Sequence, residues 1–318
     1  MSRPAEPAQG AYPNQAVKLF LATRPAFLSV TFVACLVGLA SAHASGTPLN
    51  VVTAVVTLVF ALVAHAGVNV INDYHDAESG ADAANTRRLF PFTGGSRFIQ
   101  NGVLSAAETG RFGYALLAAV VPAGLWLTWH AGTGLICIGL TGLFVGWAYS
   151  APPLKLMSRG LGEFAIALGW IAVVVGTDYV QRGSFSLFPF AAGLSYALLV
   201  ASLLFINQFP DHDGDAAAGK RTLVVRLGPD VAKWGYLLVV LVAYIWLVAM
   251  VSIRILPQYA AAAALTLVLS FTAARELIAH ARTPDELETP IKRTILAANL
   301  HGVLLAAALA FSRPGAPA

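Results

Sequence analysis

Fourteen residues, Asn69 to Asp82 (NVINDYHDAESGAD), hold four carboxylates, two asparagines and a histidine. A second stretch, NQFPDHDGDAAAGKRTLVVRLG from Asn207, again sets acid first and base afterwards. Asn69, Asp73 and Asp76 fall at i, i+4 and i+7, so on a continuing helix they share one face. Asn207, Asp211 and Asp215 fall at i, i+4 and i+8, near one face, with Pro210 expected to unwind the turn before it. Carboxylates one turn apart repel, and a divalent cation with oxygen ligands offsets that repulsion. Mg²⁺ prefers one or two carboxylates plus phosphate oxygens and water. The neighbouring His75 and His212 raise a zinc alternative, but zinc favours several His or Cys ligands in closed geometry. Acid clusters with bases close behind suit a Mg²⁺-bound diphosphate. Arg87, Arg88, Arg97, Lys155, Arg159, Lys220 and Arg221 are the candidate phosphate partners. The turn Thr93–Ser96 (TGGS) offers backbone N–H groups to a phosphate.

The elements that position these groups lie in a bilayer. The chain has 318 residues, is 57% hydrophobic and only 11% charged, and its mean hydropathy is +0.70. Nine apolar runs are long enough to cross as helices, at about 25–44, 50–71, 112–130, 132–149, 162–180, 186–207, 232–252, 257–274 and 294–312. The expected fold is all-α: a polytopic membrane protein with about nine transmembrane helices around a central cavity. Helices satisfy their own backbone polar groups, and no period-2 pattern competes.

Of the 20 Lys and Arg residues, only Arg182, Arg254 and Arg313 fall on the side opposite the acidic loops. That asymmetry puts the N-terminus in the cytoplasm and the C-terminus outside. It also explains the net charge of +4 without nucleic acid. Residues 1–18 read as a disordered cytoplasmic lead-in, and 19–318 as one transmembrane domain. Cys35 and Cys137 lie within spans as small buried side chains, and Gly142 and Gly146 form a GxxxG spacing suited to close helix packing. Asn299 and His301, within the last span, suit interhelical hydrogen bonds. Glu163, opening span five, suits a structural role at a helix N-terminus.

At these motifs the sequence resembles the UbiA superfamily of intramembrane prenyltransferases, over nearly the whole chain from Thr23–Pro25 (TRP). The first acidic stretch, with Gly80 and Asp82, is similar to the motif of 1,4-dihydroxy-2-naphthoate prenyltransferases of menaquinone synthesis. Asp211 to Asp215 (DHDGD) resembles the family's second motif. Tyr149 to Lys155 (YSAPPLK) is similar to a loop of the chlorophyll synthases. The resemblance implies Mg²⁺-dependent transfer of a polyprenyl group from its diphosphate to an aromatic acceptor, in quinone biosynthesis, at a bacterial cell membrane with the site facing the cytoplasm. It implies Asp73, Asp76, Asp211 and Asp215 as metal ligands, with Asp82 in support and Asn69 and Asn72 orienting the first cluster. It implies Arg88 and Lys155 as diphosphate contacts and Tyr149 as a flank to the allylic cation or acceptor. Pro210 stands where naphthoate enzymes often carry Arg, so 4-hydroxybenzoate and chlorin acceptors stay open, as does terpene cyclisation. A transporter is the alternative from another class. It requires acids near the bilayer midplane, whereas these gather at one face.

Overall fold

The computed structural model describes residues 5–312, and these form an all-helical bundle. A short helix α1 (Gln15–Ala22) begins at Asn14, whose side chain caps the Val17 N–H at 3.0 Å. A 3₁₀ turn at Pro25–Leu28 leads into α2 (Ser29–Ala44). Then come α3 (Val51–Ser79), the single turn α4 (Ala81–Ala84), α5 (Ala106–Ala131) and α6 (Gly134–Ser150). The second half holds α7 (Gly162–Arg182), α8 (Phe188–Ala217), the short α9 (Leu223–Leu227) and α10 (Pro229–Ser252). A 3₁₀ stretch, Gln258–Thr266, runs into α11 (Leu267–His280), and α12 (Glu288–Ala310) closes the bundle. Among the described residues eight helices are long and apolar enough to span a bilayer, and α6, with 17 residues, is a shorter apolar ninth. The protein is an integral membrane protein.

Local chemistry sets the helix limits. Asn50 caps α3, and Ser105 with Glu108 forms a reciprocal capping box at the start of α5. Gly80, left-handed at φ 78°, ends α3. Both acid-bearing helices outrun their apolar segments: α3 continues to Ser79 and α8 to Ala217, not to 71 and 207. Side-chain bonds one turn apart, from Asn72 to Asp76 and from Tyr74 to Glu78, support the last turns of α3. Pro210 sits inside an unbroken α8 instead of unwinding it. Helix α8 is the hub: 78% of its most apolar stretch is buried, against 17% for the lipid-facing α5. Its Tyr196 is fully buried and donates to the Val30 carbonyl of α2. At Gly302 a Cβ would lie 2.3 Å from Val33 and 2.6 Å from Tyr196, so glycine lets α12 approach both α2 and α8.

Other sequence expectations change as well. Residues 5–18 are docked, not disordered, while 1–4 lie outside the described residues. Glu6 accepts from Arg88 at 2.7 Å, Gln9 donates to the Gly102 carbonyl at 3.0 Å, and Tyr12 stacks on Phe98. Cys137 is exposed on the lipid side, whereas Cys35 is buried. Gly142 meets no neighbour within 4 Å, and only Gly146, against Val68, makes a close helix contact. His301 does link helices, bonding Ser195 at 3.0 Å and the Ala263 carbonyl at 3.2 Å. Asn299 turns back to the Ile295 carbonyl of its own helix.

Candidate active site

The ends of α3 and α8 bring the two acidic sets together. Asp73, Asp76 and Asp215 are buried, and Asp82 on α4 is buried beside them. One Asp73 oxygen accepts the Ser96 N–H at 3.1 Å, and the other, Oδ1, is buried with no partner. Asp76 accepts from Asn72 at 3.1 Å. Asp211 accepts from Asn85, which packs directly on Gly214 of α8. Asn69 donates to the Thr23 carbonyl at 3.0 Å and so ties α3 to the turn that begins α2.

Between the sets stands Lys220. Its Nζ is 2.9 Å from Asp76 Oδ2 and 3.5 Å from Asp215 Oδ1. Gly219, left-handed at φ 71°, reverses the chain after α8, and the Lys220 N–H bonds the Asp215 carbonyl at 2.8 Å. Burial works against the Lys220 charge, but Asp76 and Asp215 outweigh it and hold its pKa above that of an ordinary lysine. The Asp82 pKa also rises, which favours its neutral form: burial first, then the Asp76 and Asp73 charges, push its carboxyl well above the usual aspartate range.

The TGGS turn lies against this cluster. A Cβ on Gly95, itself left-handed at φ 73°, would sit 2.4 Å from Asp82 Oδ2 and 3.1 Å from Asp73 Oδ1. The turn therefore leaves a space flanked by two carboxylates, and its Ser96 N–H serves Asp73, not a phosphate. Gln100 donates to Asp82 Oδ2 at 3.2 Å, and Arg97 donates to the Asp82 backbone carbonyl at 2.6 Å.

Among the described residues no three His, Cys, Asp or Glu groups converge closely enough to hold a metal by themselves. The donors nevertheless fit Mg²⁺ bridged by a diphosphate: they are all oxygen, they come in small sets, and Asp73 Oδ1 is an unsatisfied buried acceptor. They do not fit zinc. His75 turns to Glu78 and Tyr114, and His212 to Asp213.

A cavity of about 450 Å³ opens beside the cluster, with Asn69, Asn72, Tyr149 and Asn207 at the acidic end. Apolar side chains of α2, α3, α5, α6, α7 and α8 line the rest, to Leu127, Leu135 and Val180 near the opposite face. Leu125 and Leu140 line it while being 61% and 63% exposed, so the cavity also opens sideways to lipid. A second cavity of about 310 Å³ lies under residues 5–12 and meets the first at Arg24, Phe27 and Val30.

The remaining candidates are placed differently. Arg88 bonds Glu6 and the Asn85 carbonyl and makes no ion pair with the clustered aspartates among the described residues. Lys155 is half-buried on the α6–α7 loop and makes no ion pair among the described residues. Glu163 accepts from Gln208, whose own oxygen takes the Val224 N–H, a structural bridge between α7, α8 and α9. Lys220 is the residue that spacing alone undervalues. The Gly-Lys step after a helix is the signal that it folds back.

Known proteins resemble this chain in sequence and in fold. A 2-carboxy-1,4-naphthoquinone phytyltransferase of Synechocystis sp. is 30% identical over 91% of this chain and 92% of its own. A 1,4-dihydroxy-2-naphthoate octaprenyltransferase of Bacillus subtilis is 24% identical over 73% of each. The fold is shared with a UbiA homolog from Archaeoglobus fulgidus solved with DMAPP and Mg²⁺, with a TM-score of 0.60, 14% identity and coverage of 91% of this chain and 99% of that one. Residues 31–296, which include both acidic motifs and helices α3 to α8, match the UbiA prenyltransferase family, and the chain belongs to it.

Proposed function

We propose that the protein transfers a polyprenyl group from its diphosphate to an aromatic acceptor of the 1,4-dihydroxy-2-naphthoate type. The observation that carries this is the meeting of two acidic sets at the mouth of an apolar cavity that opens to lipid. The naphthoate specificity of the similar enzymes supports the acceptor class. Residues 19–318 act as one catalytic domain, and the Lys and Arg distribution supports a site facing the cytoplasm of a bacterial cell membrane.

Asp73, Asp76 and Asp82 from the end of α3 and from α4, and Asp211 and Asp215 from α8, would hold Mg²⁺, which when bound neutralises the diphosphate. Asn72 fixes the orientation of Asp76, and Asn69 fixes the helix turn below it. Lys220 supplies a buried cation to the leaving diphosphate as negative charge gathers there. It takes the place that the resemblance gives to Arg88, whose guanidinium bonds Glu6. Lys155, unpaired on the α6–α7 loop, is available to the other phosphate. Tyr149, buried at the cavity mouth, presents an aromatic ring where the allylic carbon becomes cationic and excludes water from it. The tail is buried in the cavity at about 0.8 kcal/mol per CH₂.

The test is incubation of the purified protein with labelled prenyl diphosphate and a panel of aromatic acceptors, with and without Mg²⁺. Prenylated naphthoate should form only with divalent metal, and Asp73→Ala or Asp211→Ala should abolish it in folded protein. Full turnover after exhaustive chelation overturns the reading. A cyclised terpene as sole product, with acceptors untouched, replaces transfer by cyclisation.

A further inference from the structure

Deep in the apolar cavity, below the acidic cluster, lie polar groups that prenyl binding does not use. His65 sits on α3 one turn from Asn69 and two from Asn72, on the same face. At 1.5 Å per residue it lies about 12 Å along the helix from Asp73. Its Nδ1 is 2.8 Å from the Thr31 hydroxyl of α2, which fixes the ring. The ring stands edge-on to Trp170 of α7, with centroids 5.1 Å apart at 89°. The Trp170 indole N–H is buried without a hydrogen-bond partner, and Trp170, His65 and Thr31 all line the cavity.

An isoprenoid tail offers nothing to an indole N–H or an imidazole. Buried polar groups in an otherwise apolar wall are matched by a polar ligand or left unpaired. The reaction supplies such a ligand at this depth. The acceptor carbon must approach the first carbon of the prenyl group from the side opposite the departing diphosphate, which is the cavity side of the acidic cluster. A flat acceptor attacking from there points its far edge down the cavity toward Trp170.

We propose that Trp170 and His65 form the recognition site for the oxygen-bearing far edge of the aromatic acceptor. The indole N–H donates to a carbonyl, carboxylate or phenolic oxygen on that edge. With Nδ1 engaged by Thr31, imidazole Nε2 is the second contact, donating or accepting according to the tautomer that Thr31 selects. Both are positioning residues: they orient the ring and take no part in breaking the prenyl–oxygen bond. The inference rests on the prenyl transfer proposed above.

The experiment uses the full-length protein and steady-state kinetics with each substrate varied separately. It compares 1,4-dihydroxy-2-naphthoate with analogues lacking one oxygen substituent at a time. Trp170→Phe keeps the aromatic packing and removes only the N–H. It should raise the acceptor KM about ten-fold or more while the prenyl diphosphate KM stays within about two-fold. It should also erase the wild-type preference for the full acceptor over one analogue. His65→Gln, which keeps a polar group toward Thr31, should do the same for a second analogue. Unchanged analogue discrimination in both variants, with wild-type prenylation intact, overturns this site and leaves the proposed reaction standing. A change in the prenyl diphosphate KM alone assigns these residues to the tail and also overturns it. Failure of the wild type to prenylate any acceptor overturns both proposals together.

Discussion

The Lys220 ammonium lies 2.9 Å from an Asp76 carboxylate oxygen, although 144 positions separate the two in the chain. Because Lys220 also reaches Asp215, one buried cation holds the acidic ends of α3 and α8 together. A buried charge left without its partner is strongly destabilising. Lys220→Ala should therefore lower stability by about 3 kcal/mol, read by thermal denaturation in detergent. It should also lower kcat/KM for the prenyl diphosphate more than Lys155→Ala does. Equal effects of the two variants would place the principal diphosphate contact elsewhere.

Gly95 tests the carboxylate-flanked space. A side chain there adopts a left-handed backbone at a cost of about 1–2 kcal/mol, and its Cβ lands against Asp82 and Asp73. Gly95→Ala should reduce turnover at least as severely as loss of Asp82, with a raised Mg²⁺ requirement in metal titrations. Gly10→Ala, also left-handed but with nothing within 4 Å, controls for backbone strain.

The cavity glycines set its bore. Gly142 on α6 and Gly169 on α7 line the cavity and have no neighbour within 4 Å. Replacing either by Leu favours the helix by up to about 1 kcal/mol and fills the space. Competition between short and long prenyl diphosphates should shift toward the short chain in Gly142→Leu and Gly169→Leu. An unchanged chain-length preference would route the tail through the lateral opening instead.

The docked N-terminal segment should respond to pH. The hydrogen bond from Arg88 holds the Glu6 carboxyl below the usual glutamate range, against partial burial and with help from Asn101. A lowered carboxyl pKa stabilises the docked form above the unfolded pKa, and that contribution is lost as pH falls through the lowered value. Protection from hydrogen exchange over residues 5–14, taken relative to the intrinsic rate at each pH, should be high at neutral pH and fall on acidification below the usual glutamate range. Glu6→Gln should show lower protection at neutral pH. No difference between wild type and Glu6→Gln would mean that Tyr12 and Gln9 alone hold the segment.

Local patterns in the sequence determined the membrane spans and put Asn69, Asp73 and Asp76 on one face, because helical period and apolar length act over neighbouring residues. The same logic made α8 carry Asp211 and Asp215 toward the same end. Tertiary structure alone decided which charges meet. Lys220 reaches Asp76 because Gly219 turns the chain and α8 packs centrally, while Arg88, nearer in sequence to the first cluster, is claimed by Glu6. Gly142 likewise reads as a packing residue by spacing, yet faces open cavity, since only the arrangement of six helices fixes where space remains. Helix faces follow from backbone geometry. Partners across helices follow from loop paths and packing, which no periodicity records.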